Sequence, residues 1–181
     1  MKRLAVLALL IPQILCAQSP KIETDPSSIE QAVPGAVCEN YKQGIVLCQN
    51  RYIFVAMYED EAMFMSLVSN ANPERPVVNF MRTIANGNEA LELGGKRTKA
   101  VKSIVLEAEL HCGVVDEQKR RYLNVKSTTI HNGPFATGES YFLDHEDYMT
   151  TAERVSGIAH IMQMVCPKGS YEDKPLVGRI E

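Results

Sequence analysis

The sequence predicts an α+β domain: an antiparallel sheet of about six strands packed on one C-terminal α-helix and stabilised by disulfides. Three observations carry that expectation. Apolar residues alternate over successive short runs between Ile45 and Ile130, the two-residue period of half-buried strands. One stretch, Thr150 to Cys166, changes to helical spacing, with Val155, Ile158, Ala159, Met162, Val165 and Cys166 on one face. Four cysteines, Cys38, Cys48, Cys112 and Cys166, follow an apolar leader and form an even set.

The leader comes first. Met1 to Ala17 has a basic start at Lys2 and Arg3, an apolar run from Leu4 to Leu15 interrupted by Pro12, and a small residue at Ala17, the pattern of a secretory signal peptide. The run is shorter than the roughly 20 residues of a spanning helix, and no later stretch approaches that length, so no transmembrane helix is expected. Cys16 could instead be the lipidated first residue of a lipoprotein. Leu15 stands where such a site wants a small residue, so simple cleavage after Ala17 is preferred. The formal charge of the 181-residue chain is −3, and losing Lys2 and Arg3 makes it more acidic, which argues against nucleic acid as a partner.

Residues 18–43, with Pro20, Pro26 and Pro34, read as an extended lead-in with a helical turn around Ser27 to Gln31. The main domain spans 44–167. Ile45 to Cys48, Arg51 to Tyr58 and Ala62 to Val68 read as consecutive antiparallel strands, the last apolar on both faces. After the turn at Asn70 to Pro76, Val77 to Ile84 is the next strand. Asn86-Gly87-Asn88 then opens a loop that includes Gly94 and Gly95. Ala100 to Cys112 is the longest strand and pairs as a hairpin with Arg120 to Ile130, Lys102 lying opposite about Thr129. His131 to Met149 lacks a single period and reads as a long connection with a short strand at Glu139 to Leu143. Thr150 and Glu153 have capping-box spacing at the start of the helix, and Pro167 ends it. Residues 168–181 form a charged tail.

Four cysteines allow three connectivities. Cys38 with Cys48 is local, and Cys112 and Cys166 each end the buried face of their own element, so 38–48 and 112–166 are the expected bridges. The gaps between cysteines are too long for a zinc knuckle.

Each chemical candidate meets a blander reading. Asp144, His145, Glu146 and Asp147 are the densest ionisable group, but no histidine-pair motif accompanies them, and a solvated connection explains them. His160, at the edge of the helical stripe, reads as a boundary residue. Gly138-Glu139-Ser140-Tyr141-Phe142 lacks the second glycine of a nucleophile elbow. Gly94-Gly95-Lys96 lacks the first glycine of a phosphate loop, with Ala90 in its place, and carries Arg97 where Ser or Thr is needed. No catalytic, cofactor or metal residues are therefore assigned. Lys96, Arg97, Lys99 and Lys102 form a basic run, suited to sulfated glycans or an acidic partner if it is more than a solvated rim.

The strand from Tyr52 to Tyr58, the run Glu59 to Val68 and Lys102-Ser103-Ile104 leading through Leu110 and His111 to Cys112 together resemble the surface-adhesin protein E family of bacterial exported proteins. Arg120-Arg121-Tyr122, Gly133 and Thr150 through Val155 to Val165-Cys166-Pro167 extend the resemblance. It covers roughly Arg51 to Pro167. Members tend to carry tryptophan in the central strand and before the helix; this chain has no Trp, with Phe80 and Tyr148 in those places. The resemblance implies an exported, non-enzymatic binding domain of the envelope or surface, adhesin-like, with a protein or glycan ligand. The alternatives are a periplasmic inhibitor or envelope-stress protein that binds an envelope enzyme and, third, a hydrolase using His145 or its acidic neighbours. With the helix architectural, function is expected on loops or on the solvent face of the sheet.

Overall fold

The structure is a computed structural model that describes residues 25–42, 44–58, 61–84, 90–93, 96–115, 121–151 and 158–167. The expected leader at 1–17 and tail at 168–181 lie outside the described residues. Helix α1 (Pro26–Ala32) opens the fold. Asp25 caps it, accepting from the Ser27 amide at 3.2 Å and the Ser27 hydroxyl at 2.7 Å, with Pro26 in the first turn, where its missing N–H costs nothing.

Strands β1 (Cys38–Lys42), β2 (Ile45–Cys48), β3 (Tyr52–Tyr58), β4 (Glu61–Ser69) and β5 (Val77–Ile84) follow as an antiparallel meander. A separate hairpin, β6 (Ala90–Leu93) with β7 (Lys96–Ala100), interrupts it. The meander resumes with β8 (Ser103–Val115), β9 (Arg121–His131) and β10 (Ser140–Thr151), and helix α2 (Ile158–Val165) closes the described chain. The main sheet thus has eight strands in the order β1-β2-β3-β4-β5-β8-β9-β10.

Both faces of the sheet are covered. Along β4, Ala62 and Phe64 point one way and Met63 and Met65 the other, which is why that strand reads as apolar on both sides. On one face α2 buries Ile158, Ile161 and Met162 completely against Met63, Met65, Val78, Phe80, Ala108, Leu110, Leu123 and Val125. At about 1.5–3 kcal/mol per fully buried side chain, this burial holds an eight-residue helix that would be unstable alone. On the other face, Ile29 and Val33 of the α1 region and Ala36 cover Val46, Tyr52, Phe54, Ala62, Phe64 and Met81.

Two disulfides pin these layers. Cys38–Cys48 joins directly opposed positions of β1 and β2, and Cys112–Cys166 ties the far end of β8 to the end of α2. Both are the expected pairings.

Several expectations need correction. The sheet has eight strands, not about six, and a second helix, α1, packs opposite the C-terminal one. The segment expected to be an extended lead-in supplies α1 and β1, the helix matching the turn read at Ser27 to Gln31. Where a loop from Asn86 onward is expected, Ala90–Leu93 and Lys96–Ala100 pair as a hairpin with Leu93 opposite Lys96; Gly94 and Gly95 lie outside the described residues. Val105, not Lys102, faces Thr129. The connection expected from His131 to Met149 is mostly β10, a strand of 12 residues. Thr150 and Thr151 belong to that strand, so Thr150 does not cap a helix. Val155 and Glu153 lie outside the described residues, and the described helix begins at Ile158.

One cause explains the missed strand. In β10, Asp144 faces Ser127 and Tyr148 faces Val125, so three residues bulge opposite Lys126. Inward positions are odd-numbered before the bulge (Tyr141, Leu143) and even-numbered after it (Tyr148, Thr150), which erases a single period of two.

Candidate functional site

The structure concentrates its unusual chemistry at the β8-β9-β10 end of the sheet. Thr83, Ser103, His131 and Ser140 are directly opposed across β5, β8, β9 and β10, so the four form a polar row on one face. The β9–β10 connection, residues 132–139, folds over this row. It is held by Gly133 N donating to Thr137 O at 3.0 Å and Glu139 N donating to Asn132 Oδ1 at 2.9 Å. Phe135 and Ala136 both take left-handed backbone angles, φ 52° and 55°, which cost non-glycine residues roughly 1–2 kcal/mol each. That conformation drives the Phe135 ring into the α1-side core, edge-on to Phe64 at 5.0 Å and Tyr52 at 5.8 Å.

A serine beside a histidine invites a nucleophilic reading, and the geometry argues against it. The Ser103 hydroxyl is 0% exposed, donates to Gly133 O at 2.8 Å and accepts from Ala136 N at 2.9 Å. Its role is to pin the strained connection to β8. Thr83 Oγ1 and His131 Nδ1 are buried in the row without a hydrogen-bond partner, and burial pushes the His131 pKa down, favouring the neutral ring.

The acidic cluster of β10 is divided by the bulge. Asp144 and Glu146 are exposed, whereas His145 turns inward, its Nε2 2.8 Å from the buried Thr128 hydroxyl and its ring beside Tyr148. Burial lowers the His145 pKa and the Asp144 charge opposes that shift. Among the described residues no group of three or more His, Cys, Asp or Glu is arranged to hold a metal ion.

The basic run follows one strand and its exit. Lys96, Arg97 and Lys99 lie on β7, Lys102 just beyond it, and the side chains of Lys96 and Arg97 are outside the described set. Lys99 is exposed and pairs with Glu139 at 2.8 Å, raising its pKa by that hydrogen bond and charge. Lys102 is half-buried, its backbone bonded to both β5 and β9.

The surface on β10 itself escapes a reading by single-period pattern. Phe142 is 66% exposed and Met149 46%, and both project from the face opposite Tyr141, Leu143 and Tyr148. Asp144, two residues from Phe142, shares their face. Among the described residues β10 pairs only with β9, so its outer backbone edge carries no ladder. The clue was the alternation of Phe142 and Asp144 with inward Tyr141 and Leu143, legible once the strand is known. A scan against protein-family models and searches of curated proteins and of solved structures found no match to this chain.

Proposed function

We propose that this chain is an exported, non-enzymatic binding domain of the bacterial envelope or surface, adhesin-like in its use. The observation that carries the proposal is the pairing of Cys38 with Cys48 and Cys112 with Cys166, which is consistent with an oxidising, exported location. The secretory pattern of Met1 to Ala17 and the resemblance of Arg51 to Pro167 to the surface-adhesin protein E family support the same reading. The ligand class that fits is a protein or glycan presented outside the cytoplasm.

Fractionation of the native host, with free thiols trapped before lysis, tests the proposal. The expected result is a protein in the periplasmic or surface fraction whose four mature cysteines resist alkylation until reduced. Surface shaving of intact cells then divides the proposal: removal of the protein favours adhesion, and full protection favours the periplasmic inhibitor or envelope-stress alternative. A cytosolic protein with reactive thiols would remove the basis of both.

A further inference from the structure

We propose that the open edge of β10 binds a cationic, apolar polypeptide segment of a partner protein as an added β-strand. This deepens the reading of the chain as a binding domain and rests on it.

The backbone supplies the first part of the argument. A strand paired on one side presents a row of N–H and C=O groups on the other, and an extended peptide can complete that row. β10 is 12 residues long and, among the described residues, is the terminal strand of the main sheet. The bulge at residues 145–147 divides its edge into two regular stretches, 140–144 and 148–151, so an added strand docks on the first over five residues.

Side chains then select the occupant. Phe142 and Asp144 stand about 7 Å apart on one face of that stretch, at the two-residue repeat of a strand. Phe142 offers an unburied ring to an apolar cross-strand neighbour, and exposed Asp144 and Glu146 offer two carboxylates to Lys or Arg. A segment with an apolar residue next-but-one to a basic residue satisfies both. Two β10 edges paired antiparallel over 140–144 would set Phe142 against Phe142 and Asp144 against Ser140, which leaves the carboxylates without a cation, whereas a basic strand supplies one.

The test uses the full mature chain and a fluorescein-labelled nine-residue peptide, Val-Thr-Lys-Thr-Val-Thr-Lys-Thr-Val, which sets each lysine next-but-one to a valine on one strand face. Two comparison peptides are the valine–glutamate analogue and the valine–lysine peptide N-methylated on alternate residues, which keeps the charge and blocks the ladder. Binding is read by anisotropy and its location by hydrogen exchange. The expected result is salt-sensitive binding of the valine–lysine peptide, slowed exchange at 140–144, and at least tenfold weaker binding of both comparison peptides. Phe142→Ala, at an exposed position, should weaken binding about fivefold, and Asp144→Lys with Glu146→Lys should reverse the charge preference. Equal binding of the N-methylated peptide, protection elsewhere, no binding, or pairing of two copies through β10 would each overturn the inference. Fractionation judges the parent reading separately: an exported, fully oxidised protein that ignores the peptide loses only the β10 inference, whereas a reduced cytosolic protein refutes the export reading whatever the peptide does.

Discussion

Replacing Phe135 by alanine should cost about 4 kcal/mol, although the residue lies in a connection between strands rather than in one. Phe135 is 3% exposed, so nearly its whole ring is removed from water. It also makes edge-on contacts with Phe64 and Tyr52, each such pair adding about 0.5–1.5 kcal/mol beyond burial. Buried Phe→Ala changes typically cost about 3–5 kcal/mol once the cavity is included. Urea unfolding with both disulfides intact measures the loss, and hydrogen exchange should show residues 132–139 opening first. Ala136→Gly provides the opposing case. It relieves a left-handed backbone worth about 1–2 kcal/mol and gives back about 0.5–1 kcal/mol in chain entropy, so a net gain of about 0.5–1 kcal/mol is expected. A Phe135→Ala loss below about 1.5 kcal/mol, or a destabilised Ala136→Gly, would refute the reading of this connection as a strained plug in the core.

Other perturbations follow from the same structure. Removing Cys112–Cys166, with a sequence separation of 54, should cost about 4 kcal/mol, against about 3 kcal/mol for Cys38–Cys48 at a separation of 10, by loop closure alone. Urea midpoints of the two double-alanine variants check that order, and a larger loss at 38–48 would contradict it. Glu61 and Arg82 form a two-point ion pair beside Met63, with Arg82 Nε donating to Glu61 Oε2 at 2.6 Å and side chains 9% and 12% exposed. Arg82→Met strands a buried carboxylate and should cost about 3–5 kcal/mol, more than the double change Glu61→Gln with Arg82→Met; a double cycle showing no coupling would be inconsistent with the pair. Burial lowers the folded-state pKa of His131 and of His145. Their contribution is therefore complete above the unfolded value near 6.5 and is lost as pH falls through the lowered folded values. Urea midpoints should fall between pH 7.5 and 5.5, and replacing both histidines by glutamine should flatten that slope; an unchanged slope would assign it to other groups.

Much of this fold was legible because local pattern and tertiary environment agree. β5 runs from Val77 to Ile84 as read, and α2 keeps the three-and-four spacing of Ile158, Ile161, Met162 and Val165. The disulfide pairing was readable because Cys112 shares the inward face of Ala108 and Leu110, and Cys166 extends the last turn of α2, its N–H donating to Met162 O. β10 failed for a physical reason: a bulge is invisible to periodicity, since it moves the inward face from odd to even positions at His145 to Asp147. The same shift occurs in β9, where Leu123 and Val125 are followed inward by Thr128 and Ile130. Thr150 and Glu153 imitate a capping box, but Thr is also a good strand residue, and the pairing of Thr150 with Leu123 decides between them. The candidate site was less legible than the fold. Phe142 and Met149 gain meaning only from belonging to a terminal strand, and strand order cannot be read from a run of residues. Ser103 and His131 are 28 positions apart and become neighbours only through the β8–β9 register.

The most direct test of the central claim, an exported domain held by two bridges, is disulfide mapping of the protein recovered from its native host after thiols are trapped in the living cell. The expected result is a mature chain outside the cytoplasm in which non-reduced peptides link Cys38 to Cys48 and Cys112 to Cys166, with no alkylated mature cysteine. A cytosolic chain with its leader retained and these cysteines alkylated would contradict it.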